Sequence, residues 1–438
     1  MGRIILVSNR LPVGISTNHD GSLTASRSNG GLATALSTLF DEQETLWIGW
    51  TGLRRHLTPR ELRELVLPPD IIPINLSDQQ ITHYYDRYSN GVLWPILHEV
   101  PPSIELSDAD MHSVRVVLRH FADAVAQVAR HDDIIWIHDY HLMLLPALLR
   151  KRGLTNRIGF FLHTPFPAPD FTYMFPLLKE TVRSLRAVDV LGVQVARDVA
   201  SARWLGLTAT AYPIGVDFDR IDRMGARPST ARASERLHET YPGKQIITSL
   251  SRLDYSKGIL TQLDAIRLLA RKRDDFIYRL NIAPSRESVL EYRDLHHEIV
   301  KKVKAINARH HIIDFTYENI SEAGVITLLR AADIQLNIPT KDGMNLVAKE
   351  HIAARREPAV IVLSNTAGAA DQLTQALLVP PNDAETTVSA LVCALDMEPT
   401  DKTHRWRLLR QNVRTETVQQ WYARFIADLR AVEIRPNT

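Results

Sequence analysis

The feature that most constrains this chain is a recurring alternation. Short, almost continuously apolar runs are separated by longer stretches with helical spacing. In the first half the runs fall at 3–8, 45–50, 71–76, 133–138, 157–162 and 188–193. They are rich in Ile, Leu, Val, Trp and Phe and mostly lack period-two alternation. A strand wetted on one face alternates apolar and polar residues; a strand covered on both faces does not. Helical patterns lie between them at 107–130, 140–152 and 173–185. This βαβ alternation predicts a doubly wound α/β domain with a parallel sheet.

Residues 221–240 are polar, include GlyAlaArgProSerThrAlaArgAlaSer, and read as a linker leading into a surface helix. A second series follows. Strands are expected at 244–250, 276–283, 311–315, 333–338 and 358–363, and helices at 258–273, 287–308, 320–331, 346–355 and 384–396. Residues 403–431 read as one or two amphipathic helices. The 438 residues thus suggest two α/β halves of similar size facing a central cleft. The boundaries are placed at 1–218, 219–415 and 416–438, the last a C-terminal helix packing back on the first domain.

Composition removes several classes of function. Lys+Arg number 52 against 50 Asp+Glu, a net charge of +2. That balance points to no nucleic-acid partner and no membrane surface. No apolar stretch reaches the ~20 residues needed to span a bilayer. The N-terminal MetGlyArgIleIleLeuValSer has no long apolar region of the signal-peptide kind. The expectation is a cytoplasmic protein. Cys393 is the single cysteine, so there is no intrachain disulfide and no Cys-based zinc site. Its apolar surroundings, AlaLeuValCysAlaLeu, predict a buried core thiol.

Ligands of doubly wound sheets bind beyond the carboxyl ends of the strands, so polar residues there are the candidates. Arg10 closes the first run, in Ser8-Asn9-Arg10-Leu11-Pro12, and a guanidinium there suits a phosphate. Asn29-Gly30-Gly31-Leu32 opens a helical pattern, where paired glycines let a diphosphate approach backbone amides. Neither GxGxxG nor GxxxxGK[ST] occurs, which counts against a dinucleotide-dependent dehydrogenase and a P-loop NTPase. Residues 84–98 concentrate Tyr84, Tyr85, Tyr88, Trp94 and His98 around Pro95, and read either as a sugar-stacking surface or as an aromatic core cluster. Asp139 and His163 follow two successive strands. The His residues around Asp139 show no recurring metal-ligand spacing.

In the second half, Ser251-Arg252-Leu253-Asp254-Tyr255-Ser256-Lys257-Gly258 places two cations on a loop entering a helix, suited to a diphosphate leaving group. Ile282-Ala283-Pro284-Ser285-Arg286 puts another arginine at a strand's end. Lys341-Asp342-Gly343-Met344-Asn345-Leu346-Val347-Ala348-Lys349-Glu350 runs from a strand through a Gly turn into a helix. Its amides can hold a diphosphate and sugar hydroxyls, and Glu350 can accept from ribose hydroxyls.

Taken together these motifs resemble the trehalose-6-phosphate synthase family, retaining glucosyltransferases of the two-domain GT-B type with Rossmann-like halves. The resemblance covers nearly the whole chain. It adds LeuTrpIleGlyTrp at 46–50, TrpIleHisAspTyrHis at 136–141, HisThrProPhePro at 163–167, TyrProIleGlyVal at 212–216 and AlaGlyAlaAla at 367–370 to the segments above.

The resemblance implies transfer of glucose from a nucleotide diphosphate-glucose, such as UDP-glucose, to glucose 6-phosphate. It implies that Arg10, Tyr85, Trp94 and Arg286 grip the acceptor phosphate and that Asp139 sits where acceptor meets donor. Gly30, Gly31, His163, Asp342, Gly343, Met344, Asn345, Leu346, Val347 and Glu350 would bind the donor. Arg252 and Lys257 would bind its diphosphate and, with Asp139, form the catalytic set. It implies no cofactor and no metal, only small-molecule substrates, and is compatible with a homo-oligomer. Ser251, Lys341, Thr366 and Thr164 depart from the family pattern, and the 195–210 segment is shorter. The first three leave the donor base open; Thr164 leaves the acceptor open. Glucosylglycerol-phosphate synthesis, cyclitol coupling and a non-catalytic sugar-phosphate sensor are the competing readings.

Overall fold

A computed structural model of the chain describes residues 2–18, 22–27, 44–173, 175, 177–286 and 289–433. The chain divides into two compact units, one comprising Met1–Tyr212 with Tyr422–Thr438 and the other Pro213–Trp421. The sequence reading set these divisions at 218/219 and 415/416.

The first unit is built on β1 (Ile4–Arg10), β2 (Val13–Thr17), β3 (Leu23–Arg27), β4 (Thr45–Trp50), β5 (Ile71–Ile74), β6 (Ile134–His138), β7 (Arg157–Phe161), β8 (Val190–Val193) and β9 (Thr210–Ala211). Its main sheet has the order β5-β4-β1-β6-β7-β8-β9. Every pairing in it is parallel, with Ile4 opposite Thr45 on one side and Ile134 on the other. The first six residues of β1 and all of β6 are buried, which is why their sequences show no alternation. β2 and β3 form a separate antiparallel hairpin that the sequence pattern does not reveal.

The second unit contains β10 (Gln245–Arg252), β11 (Phe276–Ala283), β12 (Ile313–Tyr317), β13 (Ile334–Asn337), β14 (Val360–Ser364) and β15 (Leu377–Val379). Its order is β12-β11-β10-β13-β14-β15, again all parallel. Counted within the unit this is the 3-2-1-4-5-6 order of a dinucleotide-binding sheet. Its core gathers Ile247, Leu263, Ile266, Tyr278, Leu280, Ile334, Leu336 and Val362 between sheet and helices. In such a sheet the strand order reverses beside the first strand: β1/β6 in one unit, β10/β13 in the other. The loops after those strands splay apart and leave room for a ligand.

Several expectations change. The polar segment 221–240 is not a linker but parts of two helices, Phe218–Gly225 and Pro228–Thr240. Asp217 caps the first through Arg220 N, and Phe218, Ile221 and Met224 form its buried stripe. Residues 82–93 form a π-helical segment, in which Ser89 Oγ and Asn90 Nδ2 bond the carbonyls of Tyr84 and Tyr85. The 403–431 region is two helices, Pro399–Thr415 and Val418–Ala431. Cys393 is exposed rather than buried. On the helix Ala384–Leu395 the buried stripe is Thr387, Val388, Leu391, Ala394 and Leu395, and position 393 falls on the other face.

Within the first unit, residues 422–431 of the last helix lie on the sheet. Phe425 stacks against Trp136 at 4.9 Å and meets Tyr212 edge-on at 5.1 Å. It occupies space left by two glycines: a Cβ on either Gly159 or Gly192 would lie 2.7 Å from its ring. Among the described residues no helix is long and apolar enough to cross a membrane.

Candidate functional site

In the first unit, β1 delivers Arg10 to the switch point, where the register sets it opposite Trp50 at the end of β4. The Arg10 guanidinium lies over the Trp50 ring at 4.2 Å and near the Tyr85 ring at 5.4 Å. Its Nη1 donates to the Gly52 carbonyl at 3.2 Å. Gly52 has φ of +88°, and a Cβ there would meet Arg10 Nη1 at 2.2 Å. Tyr85 stacks in turn on His141, with ring centres 5.8 Å apart. The result is an arginine held flat by aromatic faces, a good anion subsite. Trp50 and His141 were not singled out from sequence as site residues; pairing of β4 with β1 is what brings Trp50 to Arg10.

Trp94 is buried, like Trp50, and packs on His98 at 4.1 Å and Tyr140 at 5.5 Å.

Asp139 directly follows β6 with φ of 73° and ψ of 165°. That conformation is essentially glycine territory and stores about 1–3 kcal/mol of strain. Its amide donates to Phe161 O at 2.8 Å, and its carboxylate lies 3.9 Å from His141 Nδ1. His163 follows β7, with Nε2 3.1 Å from His138 Nδ1. Burial pushes His163 down to about 3 and His138 well below its usual range. Both shifts favour the neutral rings, in which one facing nitrogen carries an N–H and the other accepts it. Gly30 and Gly31 lie outside the described residues.

In the second unit, β10 ends at Arg252, which is exposed. Asp254 then caps a 3-10 turn over Tyr255–Lys257, its Oδ1 accepting from Ser256 N at 2.9 Å. Gly258 turns the chain with φ of +64°, and a Cβ on it would lie 2.1 Å from the Ile338 carbonyl beyond β13. Lys257 Nζ meets Asp342 Oδ2 at 2.7 Å, and Asn345 Nδ2 reaches the same oxygen at 3.3 Å.

Asn345, in the left-handed conformation, caps the helix Leu346–Ala354, its side chain accepting from Ala348 N. The cap serves the third amide of the helix. The preceding amides of Leu346 and Val347 have no partner within the helix, so a cationic loop adjoins a helix terminus carrying positive dipole. Gly343 is fixed by close packing: a Cβ on Gly368 would lie 1.9 Å from the Gly343 carbonyl oxygen. Met344 is buried as an anchor. Thr366 bonds Pro339 O at 3.0 Å, so this departure from the family pattern ties the loop after β14 to the loop after β13.

Glu350 sits further along the same helix. Burial, reinforced by the charge of Glu322, pushes its carboxyl up to about 7, with Arg220 pulling the other way. The neighbouring Lys349 is buried and donates to Ile214 O at 2.7 Å and Gln372 Oε1 at 2.6 Å. Burial lowers it to about 7. Arg286, expected to face a ligand, has its side chain buried. Its Nη1 is 2.7 Å from Asp254 Oδ2, and it also contacts the Tyr292 hydroxyl. Its backbone has φ of 53°. Among the described residues no group of three His, Cys, Asp or Glu side chains converges to hold a metal ion.

The family model for glycosyltransferase family 20 matches residues 2–202 and 206–431. The bifunctional trehalose-6-phosphate synthase/phosphatase of Thermoproteus tenax is 32% identical over 98% of this chain, which spans 63% of that protein's length. A solved E. coli structure with bound UDP-2-fluoro glucose is 30% identical, with a TM-score of 0.87 over 99% of this chain and 100% of its own. A UDP-forming α,α-trehalose-phosphate synthase of Burkholderia xenovorans, solved with glucose-6-phosphate, is 29% identical, with a TM-score of 0.87 over 98% of this chain and 100% of its own.

Proposed function

This chain belongs to glycosyltransferase family 20, and from that membership we propose that it moves glucose from UDP-glucose to glucose 6-phosphate, forming α,α-trehalose 6-phosphate and UDP. The observation that carries the reading is the second unit's switch point. Arg252 closes β10, and Lys257 stands on the capped turn that follows, its amine 2.7 Å from Asp342 just ahead of the helix Leu346–Ala354. Cations and aligned amides there suit a diphosphate whose charge grows as the glycosidic bond breaks. Asp342, presently paired with Lys257, would accept from glucose hydroxyls once the diphosphate takes the lysine. Glu350 would accept from the ribose. The choice of UDP is supported by the Burkholderia xenovorans relative, described as UDP-forming, and by the E. coli structure that holds UDP-2-fluoro glucose.

On the first unit, Arg10, Tyr85 and Trp94 would engage the sugar phosphate. Asp139 would orient the attacking hydroxyl and His163 the transferred glucose. On the second unit Arg286 would add a cation for the acceptor phosphate.

Donor and product are both α-linked, so configuration is retained. No carboxylate is assigned beneath the anomeric carbon, which favours front-face displacement. The bond from C1 to the diphosphate oxygen breaks, the bond from C1 to the acceptor hydroxyl oxygen forms, and that hydroxyl's proton passes to the leaving diphosphate. The proposed chemistry uses no metal, because Arg252, Lys257 and the helix amides neutralise the leaving group.

Turnover assays should cross UDP-, ADP- and GDP-glucose with glucose 6-phosphate and glycerol 3-phosphate. Release of UDP with glucose 6-phosphate is expected. Turnover with glycerol 3-phosphate and none with glucose 6-phosphate would reassign the acceptor.

A further inference from the structure

Asp254 divides its two oxygens between two tasks. Oδ1 accepts from Ser256 N at 2.9 Å and so shapes the turn that carries Lys257. Oδ2 takes Arg286 Nη1 at 2.7 Å and the Tyr292 hydroxyl at 3.3 Å. The Asp254 and Arg286 side chains are 2% and 6% exposed. A buried ion pair of this kind gives little net stability against a well-packed apolar alternative. It does fix geometry, because two charges this deeply buried hold each other in place.

Arg286 also needs fixing. Its backbone is left-handed, with φ of 53°, a conformation a non-glycine residue holds only where its surroundings enforce it. Besides Asp254, the Tyr292 ring lies 5.4 Å from its guanidinium carbon. Tyr292 belongs to the helix Leu290–His310. One carboxylate thus joins the loop after β10 to the loop after β11, and each loop carries a cation proposed for a different substrate.

We infer that Asp254 is a positioning residue for both substrates: through Oδ2 it sets Arg286 for the acceptor phosphate, and through Oδ1 it sets the Arg252–Lys257 turn for the donor diphosphate. The inference rests on the proposed roles of those cations.

The two arms can be separated by substitution. Asp254→Ser keeps a short oxygen that can cap the turn but cannot reach Arg286. Asp254→Ala removes both arms. Tyr292→Phe leaves the carboxylate and removes the hydroxyl that touches both Arg286 and Asp254 Oδ2, leaving the Oδ1 arm intact, and serves if the buried arginine prevents the other variants from folding. Two readouts are needed: the KM for glucose 6-phosphate, and the Kd for UDP by calorimetry, which does not depend on turnover.

Losing a charge-assisted contact predicts about a tenfold rise in acceptor KM for Asp254→Ser, with the Kd for UDP within about twofold of wild type. Asp254→Ala should raise both by about tenfold. Tyr292→Phe should raise only the acceptor KM. A purely structural role would lower thermal stability and leave both constants unmoved, and that result overturns the assignment. So does an Asp254→Ser enzyme with wild-type acceptor KM, or equal UDP affinities for the Ser and Ala variants. A wild-type protein that binds no UDP would remove the proposed function and this assignment together. Normal wild-type turnover with unchanged variants would remove the assignment alone.

Discussion

Replacing Glu350 by Gln should change how stability depends on pH, and the structure sets the size and the window. Burial and the nearby Glu322 charge raise this carboxyl from 4.5 to about 7. The folded protein therefore holds the proton more tightly than the unfolded chain does. Between those values the native state binds the extra proton, and stability falls as pH rises through the window. A shift of that size, at about 1.4 kcal/mol per unit, corresponds to roughly 3 kcal/mol.

Glu350→Gln is neutral at every pH and carries no such loss. The variant should match wild type near pH 4.5 and exceed it by up to roughly 3 kcal/mol above pH 7. Other shifted groups are common to both proteins and cancel in the difference: the buried His163 and His138, lowered by burial, lose their stability contribution as pH falls through the same range. Asp110 and Asp133 are penalised by burial, but hydrogen bonds from Arg87 and His83, and from Arg3, hold them below the ordinary Asp range. Their contribution is lost only toward acid. Lys349, lowered by burial from 10.5 to about 7, is the opposite case, and its stability contribution rises with pH above that value. Urea unfolding of both proteins between about pH 4.5 and about pH 8, with the difference plotted, isolates the one carboxyl. Parallel curves across that range would refute the account of a half-buried, proton-retaining Glu350.

Lys257→Ala should lower kcat by about 10²–10³ if the lysine stabilises charge developing on the diphosphate; a rise in the donor KM at constant kcat would instead mark simple ground-state binding. Arg10→Ala should weaken glucose 6-phosphate by about one to two powers of ten and change donor affinity little; calorimetry showing the reverse would place Arg10 in the wrong subsite. Single-turnover mass spectrometry should find no glucosyl group on any side chain, and a covalent adduct would replace front-face displacement by a double displacement.

Much of this arrangement was legible in the sequence because parallel strands write their burial directly into continuous apolar runs. Arg10, Asp139, Arg252 and the 342–350 segment follow such runs closely, so a strand end could be read as a ligand position. What the sequence hid depends on phase or on distant partners. Cys393 sits in an apolar run, yet a helix turns it away from the stripe of Leu391, Ala394 and Leu395. The 221–240 segment is polar, but Phe218, Ile221 and Met224 suffice for a one-sided helix. The burial of Trp94 follows from packing on Tyr140. The pairing of Arg286 with Asp254, and the elevation of Glu350 beside Glu322, arise from loops and helices remote in sequence, where no local pattern reports them.

The seat of Phe425 on Gly159 and Gly192 bears on how the protein is made. A ribosome releases residues 2–212 long before residues 422–431, so the sheet of the first unit emerges with its Trp136 and glycine slot uncovered. The intervening 213–421 segment carries all of its own strands and can close first. Although domains generally complete in order of synthesis, here the earliest strands wait for nearly the last helix. An apolar groove of this kind, left open during translation, is a natural place for a chaperone to hold the nascent chain. Shortening the chain before residue 425 should therefore cost the first unit its soluble yield while leaving the second unit able to fold.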